Sequence, residues 1–245
     1  MSARATGATA ERVLRQLRRD PRTIALLLVV PCALIFLVDQ LLAERPQAFQ
    51  QVGVPLLGLF PLVSMFLVTS ITMLRERTTG TLERLLTLPL AKLDILLGYG
   101  VAFAALAAVQ ATAVSLVGFG LLDLTVVNST VLVVGLAVAN AILGMALGLL
   151  LSAFAQTEFQ AVQFMPAFIL PQILLCGLFV PRDEMAEWLQ WVSAVMPFTY
   201  AYDALTRAAD DPTLGARFWL DIAVVATVTL LSLVLGAATL KRRTP

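Results

Sequence analysis

Histidine is absent from the 245 residues. The commonest metal ligand and the usual proton shuttle near neutral pH are therefore missing. Cysteine is scarce: Cys32 and Cys176 both fall inside apolar runs, where they count as small hydrophobes and build no disulfide framework. Lysine occurs only at Lys92 and Lys241, and neither follows a glycine. With no Gly-Lys pair there is no phosphate loop ending Gly-Lys-Ser/Thr, so this chain is not expected to hydrolyse ATP and is not read as an enzyme. Charge is also sparse, at 13% of residues, where soluble domains carry about 25%. The 17 basic and 16 acidic residues nearly cancel, and nothing in that balance points to nucleic acid.

What is abundant is apolar. Hydrophobic residues make up 59% of the chain, and the mean hydropathy is +0.88. This composition belongs to a polytopic membrane protein. Six runs, 24–42, 52–74, 95–121, 131–155, 161–180 and 218–240, have about the twenty residues of helix that cross the hydrocarbon core. The fifth is interrupted by Pro166 and Pro171, which a membrane helix tolerates where neighbours satisfy the freed carbonyls. Residues 1–23 carry six arginines around a narrow apolar face of Val13, Leu14 and Leu17, the pattern of an interfacial helix. The run Ile24–Leu42 exceeds the 7–15 residues of a signal-peptide core and reads as an uncleaved span.

Charge placement sets the orientation. With the N-terminus inside, 13 of the 17 basic residues are cytoplasmic: those before the first run, between the second and third, and in the tail 241–245. Both ends are expected in the cytoplasm of a multi-pass protein of the bacterial inner (plasma) membrane. In the fourth run, Asn140, Gly144, Gly148 and Ser152 recur every four residues, which allows close backbone approach within the subunit or across a dimer seam.

The densest charged stretch between apolar runs is 75–94. Gly80 breaks the preceding helix, and then Leu82, Leu85, Leu86 and Pro89 recur at helical spacing. Glu83 falls in the first turn, where a negative charge suits the helix dipole. This predicts a short amphipathic helix at the membrane surface, the plainer alternative being a solvated basic loop. Farther on, Met185, Trp188, Leu189 and Val192, and then Phe198, Ala201, Tyr202 and Leu205, predict two short helices around Pro197.

Arg75-Glu76-Arg77, Gly80-Thr81-Leu82-Glu83, Leu85-Leu86, Pro89-Leu90 and Gly98 together resemble the signature of type-2 ABC exporter permeases, including the daunorubicin-resistance-like multidrug group. The run Gly177–Ala208, with Pro181, Met185, Trp188, Leu189, Pro197 and Thr199, is similar to the re-entrant outer hairpin of the same family. The resemblance implies an all-α membrane domain over 24–240 with six spans, a cytoplasmic coupling helix at about 75–94 and an outer hairpin at about 181–208. It implies ATPase coupling through Arg75, Glu76, Gly80, Thr81, Leu82, Glu83 and Arg84, and an outer gate at Pro181, Trp188 and Pro197. The second and fifth spans would face a central cavity and offer Phe60, Met65, Phe66, Phe164, Met165, Phe168 and Gln172 to an amphipathic drug or lipid on its way out. Implied partners are an ABC ATPase subunit carrying ATP and magnesium, a second permease subunit, identical or not, and the bilayer. No cofactor or metal is expected in this chain. A different reading, an ion-coupled secondary transporter, would need ionisable groups at mid-membrane depth. Asp39, Asp123 and Asp221 instead fall near the outer ends of their runs.

Overall fold

The computed structural model describes residues 3–81 and 92–239, and among these it is helical with no strand. Helix α1 (Ala3–Arg18) leads to α2 (Pro21–Leu41), α3 (Pro46–Thr78), α4 (Lys92–Gly120) and α5 (Thr130–Leu151). Next come α6 (Glu158–Phe164), a π-helical turn (Met165–Ile169) and α7 (Leu170–Leu175). A 3-10 turn (Arg182–Glu184), α8 (Glu187–Ala194), α9 (Pro197–Asp210) and α10 (Ala216–Ala238) complete the order.

Among the described residues, five stretches are long and apolar enough to cross a membrane: Pro21–Leu41, Pro46–Thr78, Leu97–Gly120, Thr130–Leu151 and Ala216–Ala238. The run expected over 161–180 differs. It starts earlier, at Glu158, and stops at Leu175 as three abutting helical pieces. Pro166 and Pro171 have no N–H to donate, so the regular ladder fails and the turn between them widens to π geometry. Gln172 Nε2 donates to the Phe168 carbonyl at 2.9 Å. The chain then leaves the helix at Gly177, whose φ of +107° is open to glycine. These pieces make a rod of about 27 Å.

Local signals set the helix starts. Asp20 caps α2, its Oδ1 accepting from Thr23 N at 3.2 Å and its Oδ2 from Thr23 Oγ1 at 2.6 Å, with Pro21 at the first position. Those bonds, the Thr23 hydroxyl first, hold the Asp20 carboxyl below its ordinary value.

The centre of the bundle is the seam between α3 and α5. A Cβ at Gly144 would lie 2.0 Å from Leu62 O, and one at Gly148 would lie 2.4 Å from Phe66 O. Thr69 Oγ1 sits 2.6 Å from Met65 O and 3.2 Å from Met145 O, bridging the two helices. The glycine stripe is thus spent inside the chain. Against this seam α4 brings Tyr99, Phe103 and Ala107, and α1 lays Ala10, Val13 and Leu17 into the same cluster. Thr9 crosses α4 at Gly98, where a Cβ would come 2.5 Å from the Thr9 Cβ. At the far end α9 buries Phe198, Ala201, Ala204, Leu205 and Ala208.

Candidate functional site

Arg75, Glu76 and Arg77 end α3. Successive residues of a helix point about 100° apart, so each of the three reaches a different neighbour. Arg75 makes a two-pronged bond to Glu158 at the start of α6, Nε to Oε1 at 2.7 Å and Nη2 to Oε2 at 2.9 Å. Both side chains are more than half exposed. Glu76 turns inward and is 3% exposed. Its Oε2 lies 3.5 Å from Arg12 Nη2 of α1. The same Arg12 group hydrogen-bonds the Tyr99 hydroxyl of α4, and the guanidinium lies 5.6 Å from the Tyr99 ring centroid. Arg77 Nη2 donates to Thr239 Oγ1, just past α10, at 3.3 Å. One helix end is thereby tied to α6, to α1 and α4, and to α10.

Thr78 and Thr79 then close α3, both hydroxyls donating to the Arg75 carbonyl. Gly80 follows with φ +72°, a left-handed turn that suits glycine, and among the described residues nothing beyond its chain neighbours lies within 4 Å of where its Cβ would be. Thr81 Oγ1 is 3.1 Å from Thr79 Oγ1. Leu82, Glu83 and Arg84, and the amphipathic helix expected around them, lie outside the described residues. The resemblance implied that Glu76 takes part in ATPase coupling; within this chain its carboxylate lies beside Arg12 and near Tyr99, because burying the α1 apolar face on α4 carries Arg12 over the end of α3.

The residues expected along a substrate path are partly brought together. Phe66 is fully buried and stacks on Phe168, with ring centroids 6.4 Å apart and planes 13° from parallel. Phe164 and Met165 pack against the same cluster. Gln172 is also buried, and its Oε1 has no partner among the described residues. Met65 faces the other way, into the cluster with Tyr99 and Phe103, and Phe60 packs with the cluster around Leu57 and Leu205.

In the segment over 181–210, Pro181 precedes the 3-10 turn and Pro197 is the first residue of α9. Trp188 and Trp191 of α8 are 66% and 72% exposed. Ser193 Oγ donates to Leu175 O at 2.8 Å, and Thr199 Oγ1 donates to Ser193 O at 2.8 Å, tying α8 to its neighbours. Sequence reasoning missed an ionic chain here. Arg182 pairs with Asp203, Arg207 Nε donates to Asp221 Oδ2 at 3.0 Å, and Arg207 Nη2 lies 3.9 Å from Asp203 Oδ2. Asp203 and Asp221 are 8% and 4% exposed. Burial pushes the Asp203 carboxyl above its ordinary value, against the pull of Arg182. The spacing Asp203…Arg207 was legible as an i, i+4 pair; the partnership with Asp221 on another helix was not.

The ABC-2 type transporter family model matches residues 4–208. The chain belongs to the ABC-2 type transporter family. The probable multidrug ABC transporter permease YbhR of Escherichia coli K12 is 32% identical over 147 residues, covering 59% of this ABC-2 chain and 40% of that protein. ABC transporter G family member 20 of Dictyostelium discoideum is 27% identical over 138 residues, covering 56% of this chain and 19% of that protein. The chain thus aligns with less than half the length of either relative. The family and the five apolar helices together make this ABC-2 chain a multi-pass membrane protein of the permease type.

Proposed function

We propose that this ABC-2 chain is the membrane-spanning subunit of an ATP-driven exporter, moving an amphipathic drug or lipid outward from the cytoplasm or the inner leaflet. The observation that carries the reading is the junction at Arg75-Glu76-Arg77. It ties the end of α3 to α1, α4, α6 and α10 immediately before the Gly80 turn. A push delivered just beyond Gly80 would be shared among all these helices. With no phosphate loop in the chain, the push comes from a separate ABC ATPase that carries ATP and magnesium, docked on the stretch containing Thr81, Leu82, Glu83 and Arg84.

The rest of the reading follows from that arrangement. Both termini are cytoplasmic, in the inner membrane of a bacterium, and the helical rod over 158–175 serves as the fifth of six crossings. A second permease subunit completes the pathway. Phe164, Met165 and Phe168, gathered around the buried Phe66, suit apolar cargo, because methionine packs adaptably. A multidrug role is supported by the description of the Escherichia coli relative. The hairpin with Pro181, Trp188 and Pro197 acts as the exit gate.

The test co-expresses the chain with a candidate ABC ATPase subunit. Glu83→Ala and Gly80→Pro should sharply reduce co-purification of the ATPase or its stimulation by substrate, while Asp210→Ala leaves both intact. Equal transport by all three variants would remove the coupling assignment.

A further inference from the structure

Helix α2 runs unbroken from Pro21 to Leu41 although Pro31 sits in its middle. In a regular ladder the Leu27 carbonyl would accept from the residue four positions on. That residue is Pro31, which has no N–H to give. In hydrocarbon no water makes up the loss. The donor comes from another helix: Gln110 Nε2 of α4 donates to Leu27 O at 2.9 Å. Gln110 is fully buried, and Leu27 is nearly so. The Oε1 of the same amide is buried without a partner among the described residues, so that end adds no hold.

Pro31 also marks a division in the core. On its N-terminal side, Leu27 and Leu28 belong to the cluster that holds Val13 and Leu17 of α1 and Ala107 of α4. On its C-terminal side, Ile35 and Val38 belong to the cluster of Leu57 and Val114. Gln110 stands between Ala107 and Val114 on α4, at the same division. Little else encloses α2. It is the least buried of the five apolar helices, and its Leu26, Val29 and Leu37 are all more than half exposed. Each half of α2 is therefore fastened to a different part of the bundle, with a proline and one borrowed hydrogen bond at the joint.

We propose that Pro31 and Gln110 form a latched hinge in α2. While the Gln110 amide holds Leu27 O, α2 is one rod. When it lets go, the half before Pro31 turns with α1, and the half after it stays with α3 and α4. Proline has already removed the backbone bond that resists bending here, so the side-chain bond sets the stiffness of the joint. Asp20 bonds both helices on the near side, its N–H to Leu17 O at 2.9 Å and its carboxyl to Thr23. Through Arg12 and Glu76, α1 in turn reaches the end of α3. Motion at the junction before Gly80 therefore has a path into the first half of α2. That last step rests on the exporter reading; the hinge itself does not. Gln110 is a positioning residue, acting through a backbone carbonyl.

The full chain, without any ATPase, carries nitroxide labels at Arg22→Cys and Leu41→Cys on a background of Cys32→Ala and Cys176→Ala. Both labelled sites are exposed, and they bracket the joint about 28 Å apart along the axis. The distance distribution is read by double electron–electron resonance in nanodiscs, and stability by melting in detergent. Gln110→Leu should broaden the distribution. Pro31→Ala returns a backbone N–H to Leu27, so Gln110→Leu added to it should leave the distribution as narrow as in Pro31→Ala alone. In the melting cycle, Gln110→Leu should be less favourable by about 2–4 °C with Pro31 present than on Pro31→Ala, the shift for one hydrogen bond in a chain of this length. An unchanged distribution in Gln110→Leu overturns the hinge. Equal effects of Gln110→Leu on both backgrounds overturn the pairing with the proline. Should Gln110→Leu alone fail to insert, the double variant decides: recovery supports the pairing, and failure there too overturns it. No arm needs an ATPase or a transported molecule, so failure here and failure of the exporter reading are told apart.

Discussion

At the end of the bundle that carries α1, three consecutive residues each send a link to a different helix, whereas at the other end one arginine serves three carboxylates. Arg75, Glu76 and Arg77 work in parallel. Arg207 works as a hub, 3.0 Å from Asp221 and 3.9 Å from both Asp203 and Asp211. Burial is divided differently in the two: Glu76 is covered while Arg75 and Glu158 are mostly in solvent, and in the hub Asp203 and Asp221 are covered while Asp211 is half exposed. The difference bears on mechanism. Parallel links can be loosened one at a time. A hub that shares one guanidinium fails as a unit, and it ties α9 to α10, while α8 is held by the Ser193 and Thr199 hydroxyl bonds.

Cutting the hub should have the largest effect. Arg207→Ala takes from buried Asp221 its hydrogen-bonded cation, while Asp203 keeps Arg182, and breaking a buried pair on one side costs about 3–5 kcal/mol. Thermal melting in detergent should fall steeply, and cysteines placed on α9 should become reactive. Glu76→Gln comes next. It keeps the shape of the side chain but takes the charge from Arg12, a loss of about 2 kcal/mol, read as a lower melting midpoint and weaker cross-linking of α1 to α4. A fall as large as that of Arg207→Ala would erase the distinction between parallel links and hub.

Gly80→Ala should cost about 1–2 kcal/mol, the strain of a side chain at a left-handed φ. Among the described residues nothing crowds its Cβ, so the effect belongs to the backbone and should appear as altered protease access at 79–81 rather than as global melting. Arg75→Ala should change stability least, within about 1 kcal/mol, because its partner is exposed. A melting shift equal to that of Glu76→Gln would show that the exposed bridge is worth more than its solvent contact implies.

Much of this was legible in the chain. The apolar runs over 24–42, 95–121, 131–155 and 218–240 became α2, α4, α5 and α10 within a few residues, because twenty apolar residues in a row have few alternatives. Pro197 between two amphipathic patterns gave α8 and α9. The run 161–180 was read too simply, since hydropathy registers two prolines as breaks without saying whether the helix kinks, widens or stops. The stripe Asn140, Gly144, Gly148 and Ser152 announced close approach but not its partner, and the carbonyls of Leu62 and Phe66 decided that.

What the sequence determined by itself is therefore local and additive: hydropathy, proline and glycine positions, charge balance and the motif around Gly80. What only the tertiary structure decided is relative rotation. Whether Glu76 faces a partner or Arg12, and whether Asp221 meets Arg207, depends on which side of each helix the packed neighbours leave open. Rotation about a helix axis by up to the roughly 100° between successive residues separates a solvated side chain from a buried one, and composition, spacing and hydropathy are unchanged by that rotation.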